Sequence, residues 1–269
     1  MATAVAMLAL GGTSASALIV HLPGGRTLSY QPIRGSHTQA AAKPAVSSPV
    51  EYHGGPVMGA NTNYALYWQP AGAAEYPAGY QTVLDGYFEN LAHDSGGLQN
   101  TDSLLTQYGD SAGEFANYNS HFGGALVDTT SYPPNGCSAA PICLTDEQLR
   151  TEISHYVEVH KLPTDLQHEY FLLTPPGVES CFEAAGHACS DGTKHAAYCA
   201  YHGFVAIGKS VLVFANDPYV NGFNCDFGEE HPNNNPADAT IGGGLAHEHS
   251  ESVTDPQLNA WHDAKGAEV

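Results

Sequence analysis

The sequence predicts an α+β fold, a mixed sheet packed on helices and stapled by disulfides. Apolar runs of strand character and segments with helical spacing are interspersed without the strict alternation of a doubly wound parallel sheet. The 269 residues suffice for one sizeable core, with no internal repeat to divide them. Six cysteines, at 137, 143, 181, 189, 199 and 225, form no C-x-x-C pair. An even count without that spacing favours disulfides over a zinc ribbon or a thioredoxin-like centre.

The elements follow in chain order. "MATAVAMLALGGTSASA" is apolar and ends in small residues, with Ala15-Ser16-Ala17 as a cleavage site, so residues 1–17 read as a signal peptide. Residues 18–50, which include "RGSHTQAAAKPAVSSPV", read as a linker or pro-segment. The ordered domain is expected over 51–269. Tyr64 to Trp68 form a strand. "YQTVLDGYFENLAHD" places Val83, Leu84, Tyr87, Phe88 and Leu91 at helical spacing, and "DEQLRTEISHYVEVH" does the same with Leu149, Ile153, Tyr156 and Val157. "HEYFLLTPPGV" is a strand stopped by prolines, and "HGFVAIGKSVLVFAND" supplies one or two more. Trp68, Phe171 and Phe214 are core candidates, whereas His93, His155 and His160 read as surface histidines. Cys137 and Cys143 bracket the short loop "CSAAPIC" and are the first expected pair.

Eight Lys and Arg stand against 28 Asp and Glu, a formal charge of −20. That field repels phosphate backbones and anionic lipid, which excludes nucleic acid and acidic membranes as natural partners. No stretch after the N-terminus reaches the ~20 apolar residues of a membrane span. The expectation is a secreted, extracellular monomer.

"GGGLAHEHSESVTDP", from Gly242 to Pro256, carries the chemistry. A helix is expected from Pro236 to Asp255. Asn235 suits the N-cap, Pro236 the first position and Asp238 the first turn, and Pro256 ends the helix. Gly242, Gly243 and Gly244 each cost about 1 kcal/mol inside a helix, which close approach of another backbone would explain; the alternative is a helix that begins after them. At about 100° per residue, Glu251 lies about 40° from His247 and one turn on, Glu248 at about 100°, and His249 on the opposite face. His247 and Glu251 can therefore share a metal ion, with Glu248 as general base over the bound water. The third ligand stays open among Glu268, after "PQLNAWHDAKGA", Asp255 and His262, and Asp255 suits an orienting role better. A His-Glu-Glu set brings more negative charge than the usual zinc ligands. Zinc is the expected ion, with manganese or calcium as harder alternatives.

"HEHSESVTD" resembles the active-site helix of thermolysin-like zinc peptidases, apart from Glu251 in place of the second histidine. That resemblance implies a zincin-like, metallopeptidase-type domain and, since the third ligand of such peptidases is a later glutamate, Glu268 as the third ligand. A longer resemblance, over most of 51–269, is to the exordium and phosphate-induced protein family and its secreted microbial relatives. "YHGGPVM", "YALYW", "CAYH" and "HEHSE…TDPQLNAW" carry it in order. It implies an extracellular, disulfide-containing domain and supplies no reaction. His262 departs from that family's usual Tyr or Phe, Glu268 matches the glutamate of its E-I-G-D-x-C-like stretch, and C-terminal truncation is expected by comparison.

The functional expectation is a secreted metal-dependent hydrolase, a peptidase, acting on peptide or on cell-wall or matrix material. The first alternative is a non-catalytic extracellular cell-wall or matrix binding module. The second is a serine esterase, from Gly109-Asp110-Ser111-Ala112-Gly113 with Ser111 as nucleophile, His53-Gly54-Gly55 as oxyanion loop and Asp217 as a triad acid. "LLTQY" before Ser111 is only half apolar, which weighs against the strand such an elbow needs.

Overall fold

The computed structural model describes residues 17–34, 49–220, 224–226 and 231–268. It is α+β, with a mixed ten-stranded sheet. β4 (Asn61–Trp68), β5 (Ser120–Asp128), β7 (His168–Thr174) and β11 (Ser210–Pro218) run parallel, in the order β5-β4-β7-β11. β10 (Ala196–Ile207) joins β11 as an antiparallel hairpin, and β9 (Cys189–Ser190), β8 (Val178–Cys181) and β6 (Ile142–Thr145) complete that edge. A separate two-stranded sheet pairs β3 (Glu51–Tyr52) with β12 (Trp261–His262).

The two helices expected from side-chain spacing form as α1 (Tyr80–His93) and α2 (Asp146–His160). Thr145 and Gln148 build a reciprocal capping box that fixes where α2 starts. Strand alternation then sorts the core into two layers. Leu66, Trp68, Tyr170, Leu172 and Phe214 face Leu149, Ile153 and Val157 of α2. Ala65, Tyr67, Phe171, Leu173 and Ala215 face Leu84 and Phe88 of α1 and Leu245 of the helix carrying the motif. Trp68, Phe171 and Phe214 are fully buried, and His93, His155 and His160 lie exposed.

The N-terminal stretch corrects the linker expectation. β1 (Leu18–Leu22) and β2 (Arg26–Pro32) form a hairpin, and β2 pairs antiparallel with β10. Leu28 and Tyr30 alternate into the α2 layer, while Ser29 and Gln31 are buried on the other face. Arg26 ties the hairpin to α2 through Asp146, at 2.7 Å. The stretch is therefore an inner strand and its neighbour, not a tether. The expected signal peptide, apart from Ala17, and residues 35–48 of the expected linker lie outside the described residues.

Three disulfides form, Cys137–Cys143, Cys181–Cys189 and Cys199–Cys225. The first is the pair expected from its short loop. Among the described residues no helix is long and apolar enough to cross a membrane.

Candidate metal centre

The helical run begins as α3 (Ala237–Thr240), widens to a π-helical turn over Ile241–Leu245, and continues as α4 (Ala246–Thr254). Pro236 takes the N-cap position expected of Asn235, whose Oδ1 nevertheless accepts from the Ala237 N–H at 3.0 Å. The glycines lie inside the run, where close contact explains two of them. A Cβ on Gly243 would stand 2.1 Å from the Cys225 carbonyl oxygen, and one on Gly244 2.5 Å from the Ala200 Cβ on β10. The helix therefore lies directly on β10 and on the loop closed by Cys199–Cys225. That approach delivers the next turn's side chains onto the sheet.

Glu251 is the hub. His247 Nε2 lies 2.9 Å from its Oε1, and His202 Nδ1, from β10, lies 3.6 Å from its Oε2. The same His202 nitrogen lies 3.1 Å from Glu248 Oε2. Ligand atoms of His202, Glu248 and Glu251 all fall within 4.8 Å of one another, a group that could hold a metal ion. Glu268 is 5% exposed and sits in the field of Glu251, Asp255 and Glu248, with Ser29 of β2 beside it. The chain reaches it through a turn at Asp263, whose Oδ1 accepts from the Lys265 and Ala267 N–H groups.

Nearly all of this is out of water. Glu248, Glu251, Asp255 and His202 are 0% exposed, and His247 alone keeps a quarter of its side chain open, at 24%. Burial, and then the Glu251 charge, push the Glu248 carboxyl well up, against the opposing pull of His247 and of the Gln31 and His202 N–H groups. Burial and the Glu251 and Asp255 charges push Glu268 up as well. Burial pulls His247 down, but Glu251 and Glu248 outweigh it and hold the imidazole above its ordinary value. So many acids in one dry volume must take up protons or share a cation.

Lone pairs remain open for either role. His202 Nε2, His247 Nε2, Glu248 Oε1 and both oxygens of Glu251 and Glu268 are buried without a well-formed hydrogen bond. His247 Nε2 and Glu251 Oε1 form a close pair at 2.9 Å. Two atoms each about 2.1 Å from an ion lie roughly 3.0–3.4 Å apart, near the contacts seen here.

The structure thus brings His247, Glu248 and Glu251 together with His202, and buries Glu268 in the field of the two glutamates. Asp255 instead braces the following turn, its Oδ1 accepting from the Asn259 and Ala260 N–H groups at 2.6 and 2.7 Å. His262 turns away to stack on His53, with ring centroids 3.6 Å apart. His249 occupies the other face of α4, its Nε2 3.2 Å from Asn61 Oδ1. His202 escaped the sequence reading. A lone histidine in an apolar strand usually means core, and only its place in "CAYH" could have drawn notice.

Ser111 lies in an exposed turn after a 3₁₀-helix (Thr101–Gln107), and its N–H donates to the Tyr52 hydroxyl. The strand–turn–helix frame of a nucleophile elbow is absent there, because "LLTQY" winds up instead of extending. Asp217 is buried on β11, its Oδ1 3.4 Å from where a Gly244 Cβ would stand.

No family model matches the chain, and neither does any curated protein or solved structure.

Proposed function

We propose that the protein is a secreted metal-dependent hydrolase, a peptidase with a zincin-like centre. The supporting observation is the convergence of Glu248 and Glu251 with His202 and His247 in one dry volume, with unsatisfied ligand atoms and Glu268 buried in the same field. His247, Glu251 and Glu268 would hold the ion, zinc by first choice and manganese or calcium by the hardness of the carboxylates. Such an ion supplies a water acidic enough to be deprotonated near neutral pH. Glu248 would take that proton and return it to the leaving nitrogen. His202 holds the Glu248 carboxylate in place from β10. Substrate reaches the centre from the open side of His247. The resemblance to the exordium family and its secreted microbial relatives supports an extracellular setting, with peptide or cell-wall and matrix material as substrate.

A second reading has its own observation. Glu248 is fully buried, which suits a structural ion inside a non-catalytic wall- or matrix-binding module. Casein hydrolysis by the wild type and by Glu248→Gln, both loaded with metal, separates the two. Activity lost in the variant supports the hydrolase, and equal rates in both remove it.

A further inference from the structure

We propose that Asp128 and Glu152 form a calcium-binding site that clamps the end of β5 to α2, separate from the His–Glu centre. Asp128 closes β5 at 1% exposure. Its Oδ1 accepts from the Thr130 N–H at 2.8 Å, while its Oδ2 is buried with no donor. Glu152, from α2, lies within hydrogen-bonding reach of that carboxylate, and its Oε1 is likewise buried with no donor. The Asp128 carboxylate, with one oxygen unsatisfied, thus faces a second acid. Among the described residues neither carboxylate has a salt bridge to Lys, Arg or His.

Two carboxylates in contact cannot both stay ionised unless a proton or a cation lies between them. Burial and the Asp128 charge push the Glu152 carboxyl up to about 7. Thr130 and His155 pull against that shift, and a cation between the two acids can take the proton's place. All the donors are hard oxygens, with the Thr130 hydroxyl also at Glu152, and no sulfur competes. Calcium takes six to eight such ligands and tolerates irregular geometry, waters filling what the protein leaves open. Glu152 opens onto a groove also lined by Glu147 and by Glu183, which pairs with Arg26, and water and cations can enter there. α2 and α4 pack into different core layers, which keeps this pair apart from Glu251.

Terbium, an oxygen-seeking ion of calcium's size, tests the site because aromatic rings surround it. The Trp68 Nε1–H donates to the Thr130 carbonyl at 2.8 Å, and the phenols of Tyr132 and Tyr156 feel the Asp128 charge. Titrating terbium into the disulfide-intact, metal-stripped protein should give aromatic-sensitised emission that millimolar calcium competes away. In protein carrying Glu251→Gln, so that the His–Glu centre does not compete for the ion, Asp128→Asn and Glu152→Gln should each weaken terbium binding at least tenfold. Both test variants keep the local hydrogen bonds. The amide of Asp128→Asn retains an acceptor for the Thr130 N–H, and the amide of Glu152→Gln offers a donor to Asp128. Near-UV circular dichroism checks their folding. Folded variants that bind terbium like their Glu251→Gln parent would overturn the proposal. So would emission that calcium does not displace, or emission abolished by Glu251→Gln alone.

Discussion

His202 Nδ1 lies 3.1 Å from Glu248 Oε2, a contact that joins the middle of the sheet to the helix carrying the motif. The two residues are 46 apart in sequence, and both are fully buried. The contact gives Glu248 a fixed orientation that its own helix does not provide. Replacing His202 with Ala should therefore lower peptidase kcat by about 10²-fold or more, on the scale of a lost acid–base arrangement. Metal affinity should fall less than in a ligand variant. A loss of bound metal equal to that of Glu251→Gln would instead make His202 a ligand; calorimetric metal titration distinguishes them.

Glu248→Gln keeps the volume of the side chain and removes its basicity. Metal content should stay at the wild-type level while kcat falls by about 10²–10⁴-fold. Elemental analysis beside a casein assay measures both in one preparation.

The glycines of the π turn make opposite predictions from one sequence run. Gly242 has open space where a Cβ would stand, so Gly242→Ala should stabilise by up to about 1 kcal/mol through helix propensity. Gly243→Ala and Gly244→Ala should each destabilise by about 1–3 kcal/mol, because the added carbon strikes the Cys225 carbonyl or Ala200. Thermal melts of the three variants would show the divided sign.

Burial pushes the carboxyl of Glu169, on β7, up to about 8, with Ser252 and His202 opposing and Asp217 and Glu248 reinforcing the shift. Between its ordinary 4.5 and that value the folded chain holds a proton that the unfolded chain has released. Stability contributed by this group therefore falls as pH rises across that window, by at most about 1.4 kcal/mol per pH unit. Denaturant titrations of metal-free protein at pH 5 and pH 7.5 should show the fall, and Glu169→Gln should flatten part of it. Stability that rises between those pH values, or an unchanged slope in the variant, would contradict this account of Glu169.

Much of the architecture was legible in local pattern. α2 was readable to its ends because its capping residues and apolar face agree, and Cys137–Cys143 because the loop is short. His247, Glu248 and Glu251 were readable because one helix carries them at fixed angles. Glu268 needed the resemblance as well as the spacing. What stayed hidden depends on strand pairing. β2 reads as tether because its two faces, Leu28 and Tyr30 against Ser29 and Gln31, acquire meaning only beside β10. His202 and Glu169 look like interruptions of apolar strands until α4 lies across them.

The central claim is that His247 and Glu251 grip one divalent transition ion. Zinc bound per chain after dialysis against micromolar zinc, in the wild type and in Glu251→Gln, tests it most directly. The account predicts one zinc ion retained by the wild type and none by the variant. A folded wild-type protein that retains no zinc, or a variant that retains as much, would contradict it.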